Sequence, residues 1–152
     1  LVLGVMVMVD RFKRKTLSIA GFALMGILHL VIFRADNFLT GDVKATTIWL
    51  LGALFVGTMQ CTVGFLTWVV LAELFPLKHR GLLLGIAVFF HWIANATLSY
   101  LFPLLQVELG LGTVFLILAV INFLVVIFVI AAMPETSNKS LEQLEEELAS
   151  AK

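Results

Sequence analysis

The sequence predicts an all-α membrane protein, on two observations: long apolar segments divided by short polar connections, and few charges. Of 152 residues, 61% are hydrophobic and 13% charged, with a mean hydropathy of +1.09. A water-soluble domain carries about 25% charged residues. Apolar segments occupy residues 17–33, 45–72, 82–105 and 111–133. Each can cross a hydrocarbon core about 30 Å thick, which takes about 20 helical residues. Buried strands do not fit, because the runs are too long and lack a turn signal roughly every ten residues.

Residues 1–9 are apolar to neutral and would rise only ~14 Å as a helix, about half a core. They carry neither the basic leader nor the cleavage site of a signal peptide, and they read as the end of a helix begun upstream. The first full segment is at the short end for a span, whereas the second is long enough to tilt or to project past the interface. Glycines such as Gly21, Gly26, Gly57 and Gly64 would weaken a helix in water but permit close helix contact in a bilayer. The last segment is nearly uniform aliphatic, with Asn122 its only strongly polar side chain. It is expected at a lipid-facing periphery, contributing little to any pathway.

The connections set the orientation. Residues 10–15 read DRFKRK, with four positive charges in six positions, and Lys78, His79 and Arg80 form a second basic connection. Lys and Arg are retained on the cytoplasmic side, which places these two connections and the tail inside. Residues 35–44 and 106–110, poorer in basic residues, then lie outside. The division expected is a partial C-terminal transmembrane bundle over 1–133 and a cytoplasmic tail over 134–152. Leu141, Leu144 and Leu148 recur in the tail at helical spacing after a Ser140/Gln143 capping box, so a short amphipathic helix is expected there.

A formal net charge of zero gives no bulk electrostatic reason to expect nucleic-acid binding. The single cysteine, Cys61, reads as a packed thiol. Metal-ligand spacing, phosphate-cradling loops and nucleophile elbows are all missing. Neither an enzyme nor a bound metal or cofactor is expected.

Polar residues within the apolar segments point to a ligand. Gly57, Gln60, Cys61, Gly64 and Trp68 recur at three- and four-residue intervals and so share a helix face. That face is either a packing stripe or a cavity wall where Gln60 supplies hydrogen bonds and Trp68 a flat apolar plate. His91, Trp92, Asn95 and Ser99 fall within two turns of the third segment. Imidazole, indole, amide and hydroxyl together suit an uncharged polyhydroxyl ligand, which needs donors and acceptors but no Arg or Lys. A structural network between helices would use the same atoms. His29 reads as a packing or interfacial residue.

At its connections the chain resembles the sugar porter family of the major facilitator superfamily. Glu73–Leu74–Phe75–Pro76–Leu77–Lys78–His79–Arg80–Gly81 matches that family's E-x-x-P-x-x-x-R-G signature. Pro134–Glu135–Thr136 with Leu141–Glu142 matches its C-terminal P-E-T-x-x-x-x-L-E signature. Asp10–Arg11–Phe12–Lys13–Arg14–Lys15 is similar to its D-R-x-G-R-R/K loop after helix 8. The resemblance implies the C-terminal helices of a twelve-helix fold, from the end of helix 8 through helix 12, with the N-terminal half of the carrier elsewhere.

The resemblance further implies monosaccharide transport by alternating access, with Trp68 and Trp92 as cavity aromatics and His91 where relatives often place an amide. Gln60 and Asn95 complete the expected solute contacts. Asp10, Arg11, Arg14, Glu73, Arg80 and Glu135 match a cytoplasmic charge network that closes the inner gate. A carrier for another neutral solute such as a cyclitol, or a non-transporting structural or assembly subunit, are the alternatives. Expected partners are a small neutral solute, the rest of the carrier and the lipid bilayer of a cell or plasma membrane. Relatives often have G-P-x-P-W before the helix 10 glutamate, whereas this chain has Gly64–Phe65–Leu66–Thr67–Trp68. Loss of both prolines is expected to remove a local helix break there.

Overall fold

The computed structural model describes residues 13–75 and 77–133, apart from the side chains of Ala72, Glu73, Leu74 and Leu77. The expected stub at 1–9 and tail helix after 134 lie outside the described residues. Helix α1 runs Arg14–Phe38 and α2 runs Gly41–Met59. A π-helical turn, Gln60–Gly64, joins α2 to α3, Phe65–Leu74. A short 3-10 turn, Leu77–His79, leads into α4, Arg80–Leu109, and α5 runs Leu111–Ala132. Four stretches are long and apolar enough to cross a membrane: Arg14–Phe38, Gly41–Leu71, Arg80–Leu109 and Leu111–Ala132. They correspond in order to the four segments read from hydropathy.

The main packing is α1 against α5, with α2 on the flank of α1. Leu17, Gly21, Met25, Leu28, Ile32 and Ala35 are buried along α1, at steps of three and four that form one stripe. Opposite them α5 buries Gly112, Val114, Ala119 and Val129. Small residues bring the backbones close, as packing in lipid requires. A Cβ on Gly26 would stand 3.1 Å from the Phe123 ring, and one on Gly21 only 2.6 Å from Thr62 Oγ1. The last span is thus only partly peripheral. One side lies in the main helix interface, while Ile121, Leu124, Ile127 and Phe128 face outward.

Polar ties fix the antiparallel arrangement at both ends. At one end Lys15 Nζ donates to the Ile130 carbonyl at 2.8 Å, across 115 residues of chain. At the other, Asp36 Oδ1 pairs with Lys44 Nζ at 2.8 Å. Its Oδ2 accepts the Gly112 N–H at 3.0 Å, satisfying one of the free donors that open α5. Gly110, at φ +82°, makes the reversal between α4 and α5, a backbone geometry that favours glycine. Helices α2 and α4 differ from α1 and α5 in that none of their residues is buried.

Candidate solute-facing site

Trp68 on α3 and His91 on α4 meet edge to face, with ring centroids 5.6 Å apart and planes at 72°. Trp92 follows with its ring 5.9 Å from His91. Both indoles are open: Trp68 is 45% exposed and Trp92 64%. Asn95, one turn beyond His91, donates from Nδ2 to the His91 carbonyl at 3.0 Å. The same nitrogen lies 3.1 Å from His91 Nε2. Four of the five expected solute contacts therefore cluster on one exposed surface spanning α3 and α4. It offers stacking plates, one imidazole and one amide, and it carries no formal charge when the imidazole is neutral.

Gln60 takes a different place. It opens the π turn, and a Cβ on Gly64 would stand 2.9 Å from Gln60 Oε1, so its amide folds back over that glycine. Among the described residues no hydrogen bond joins it to the His91 group. The π turn also overturns the common face expected for Gly57, Gln60, Cys61, Gly64 and Trp68. A π turn widens the helical repeat, so positions after it fall out of phase with those before it. Cys61 packs against the small core of Leu17, Leu66 and Val70, whereas Gln60 and Trp68 are exposed.

Loss of both prolines does not leave an unbroken α-helix. An irregularity is present as the π turn, and hydroxyls within and just after it bond back to carbonyls a turn earlier. Thr62 Oγ1 donates to Thr58 O and Thr67 Oγ1 to Val63 O, each at 2.7 Å. Such back-bonding locally loosens a helix.

Of the expected gate residues, Arg14 opens α1 and Arg80 opens α4, which puts both at the Lys15 end of the bundle. Glu73 lies in the last turn of α3, with its side chain outside the described ones. Asp10, Arg11 and Glu135 lie outside the described residues.

One polar pair escaped the sequence reading. Asn122 Nδ2 on α5 lies 3.2 Å from His29 Nδ1 on α1 and donates to the Leu118 carbonyl at 2.8 Å. His29 stacks at a tilt on Phe55 and Phe115, with centroids 4.6 and 5.4 Å away. This agrees with a packing role for His29. The only signal in the sequence was one strongly polar residue in each of two apolar runs, 93 positions apart. His29 and Asn122 also border a cavity of about 740 Å³ between the spans, with Phe55, Leu98, Phe102 and Phe115 among its walls. The lining is almost wholly apolar and excludes Trp68, His91 and Trp92, so it lacks the hydrogen-bonding density that a polyhydroxyl ligand needs.

Four spans long and apolar enough to cross a bilayer mark an integral membrane protein. Residues 1–148 match the family described as Sugar (and other) transporter, and the chain belongs to that family. It is 37% identical over 139 residues to the arabinose-proton symporter of Bacillus subtilis, covering 91% of this chain and 29% of that protein. It is 42% identical over 92 residues to the major myo-inositol transporter IolT of Bacillus subtilis, covering 60% of this chain and 20% of that one. The structure superposes on the inward-open xylose transporter XylE from E. coli with a TM-score of 0.85 at 32% identity, over 95% of this chain and 32% of that one. A further XylE structure, bound to 6-bromo-6-deoxy-D-glucose, is of a major facilitator superfamily proton:xylose symporter and gives a TM-score of 0.82 at 30% identity, over 95% of this chain and 31% of that one. The fold is that of C-terminal major facilitator helices, and the match places the chain among transporters rather than enzymes. The chain spans about a third or less of the length of these relatives.

Proposed function

We propose that the chain is the C-terminal part of a carrier that moves a monosaccharide across the cell membrane by alternating access. The observation that carries this reading is the exposed cluster of Trp68, His91, Trp92 and Asn95. An indole plate covers the apolar face of a sugar ring, and imidazole and amide exchange hydrogen bonds with its hydroxyls. The absence of charge suits a neutral solute, and the other wall of the cavity would come from the rest of the carrier. Relatives named for arabinose and xylose transport support a sugar. The myo-inositol relative favours a cyclitol as the second reading, since a cyclitol presents the same ring of hydroxyls. In the full-length protein, Trp92→Ala should lower uptake of the transported solute at least tenfold at unchanged membrane abundance. Abundance and uptake falling together would assign Trp92 to packing and favour a structural subunit.

The basic end of the bundle is proposed to face the cytoplasm, with Arg11, Arg14, Glu73, Arg80, Asp10 and Glu135 forming a network in the inward-closed state. One solvated ion pair contributes about 0.2–1 kcal/mol. Even so, a network made in one state alone shifts a balanced equilibrium, because about 1.4 kcal/mol changes the ratio tenfold. Glu73→Gln should therefore raise labelling of a cysteine near this gate from the inside while solute binding persists. A cysteine at position 40 should label from outside. Unchanged inner labelling with lost binding would move Glu73 out of the gate, and labelling of position 40 only from inside would invert the topology.

A further inference from the structure

The contact between His91 and Asn95 determines which ring nitrogen carries the proton. Asn95 Nδ2 lies 3.0 Å from the His91 carbonyl oxygen. An amide oxygen placed there would face another oxygen, so the amide nitrogen takes this position and Oδ1 points the other way. The same Nδ2 lies 3.1 Å from His91 Nε2. An amide NH2 group only donates, so Nε2 accepts. In the neutral imidazole the proton then sits on Nδ1. Two polar atoms remain without a hydrogen-bond partner among the described residues, the Nδ1–H donor of His91 and the Oδ1 acceptor of Asn95. Both residues are exposed, and the edge-to-face contact with Trp68 at 5.6 Å limits rotation of the ring.

We propose that Asn95 is a positioning residue that holds His91 as its Nδ1–H tautomer, so that the ring offers the solute a donor and not an acceptor. The inference rests on the carrier reading and assigns His91 to a solute oxygen that accepts a hydrogen bond. Removing that hydroxyl leaves the Nδ1–H donor unpaired, and a site built for hydroxyls rejects analogues that lack them.

Two readouts test this in full-length protein reconstituted in lipid. The first needs no ligand: nitrogen-15 spectra of histidine-labelled protein, with the imidazole neutral and the His91 signals assigned by their loss in His91→Gln. The wild type should show the Nδ1–H pattern. Asn95→Ala should give a mixture of tautomers, and Asn95→Asp, which can only accept, should move the proton toward Nε2. An Nε2–H pattern in the wild type, or a pattern unchanged in both variants, overturns the positioning role. The second readout is binding of a monodeoxy sugar series. Removal of the hydroxyl that accepts from His91 should weaken binding by about fivefold to tenfold, and Asn95→Ala, which frees the ring to take either tautomer, should shrink that penalty. A penalty at no hydroxyl, or one that Asn95→Ala leaves unchanged, would overturn the donor assignment while leaving a sugar carrier intact. Failure of every sugar and cyclitol to bind would instead remove the carrier reading and the donor assignment with it, and the tautomer result would still decide the role of Asn95.

Discussion

His29 is 4% exposed, within a segment made almost entirely of apolar side chains. Its polar partner comes from another span, Asn122, whose second bond to the Leu118 carbonyl holds the amide in place. Hydrogen bonds between membrane helices average about 0.6 kcal/mol, below the ~1–3 kcal/mol of a buried polar group left unsatisfied in a soluble protein. Asn122→Leu should therefore destabilise the full-length protein by about 0.5–2 kcal/mol. In the double variant His29→Phe, Asn122→Leu, both polar groups are gone and Phe55 and Phe115 still receive an aromatic ring. Its loss should be smaller than the sum of the single losses by about 0.5–1 kcal/mol. Thermal unfolding of the detergent-solubilised protein measures this coupling, and strict additivity would show that the two residues act independently.

The spans were legible in the sequence because hydropathy over about 20 residues is a direct consequence of bilayer thickness. The ends were less so. Helix α1 begins at Arg14 and α4 at Arg80, ahead of the apolar runs, because a helix continues into the headgroup region where charged side chains are solvated. The clustering of Trp68 with His91 and Trp92 was approached through resemblance, whereas spacing alone could only group residues within one helix. The π turn was not legible. It is a change in hydrogen-bond register, and Gln60, Cys61, Thr62, Val63 and Gly64 carry no residue type that demands it. Reasoning from absent prolines predicted a regular helix, but threonine back-bonding and the glycine beneath Gln60 accommodate the wider turn without them. Pairing of His29 with Asn122 was equally hidden, since two lone polar residues in separate spans give no sign of facing each other.

At the scale of the whole molecule, the main interface joins the first described span to the last. Helix α1 packs mainly against α5, and the Lys15 and Asp36 ties both end on it. Chains are made from the N-terminus onward, so α1 reaches the membrane before α5 has been synthesised. During that interval His29 has no Asn122, Lys15 has no Ile130 carbonyl, and Asp36 holds only Lys44. Completion of this interface is thus set by the arrival of α5, and a chain stopped before it displays the polar atoms of α1 to lipid. Cellular quality control should recognise that state. In a pulse-chase comparison, the protein truncated after residue 110 should turn over several times faster than the intact protein. Equal half-lives would mean that α1 is sheltered during synthesis by some element other than α5.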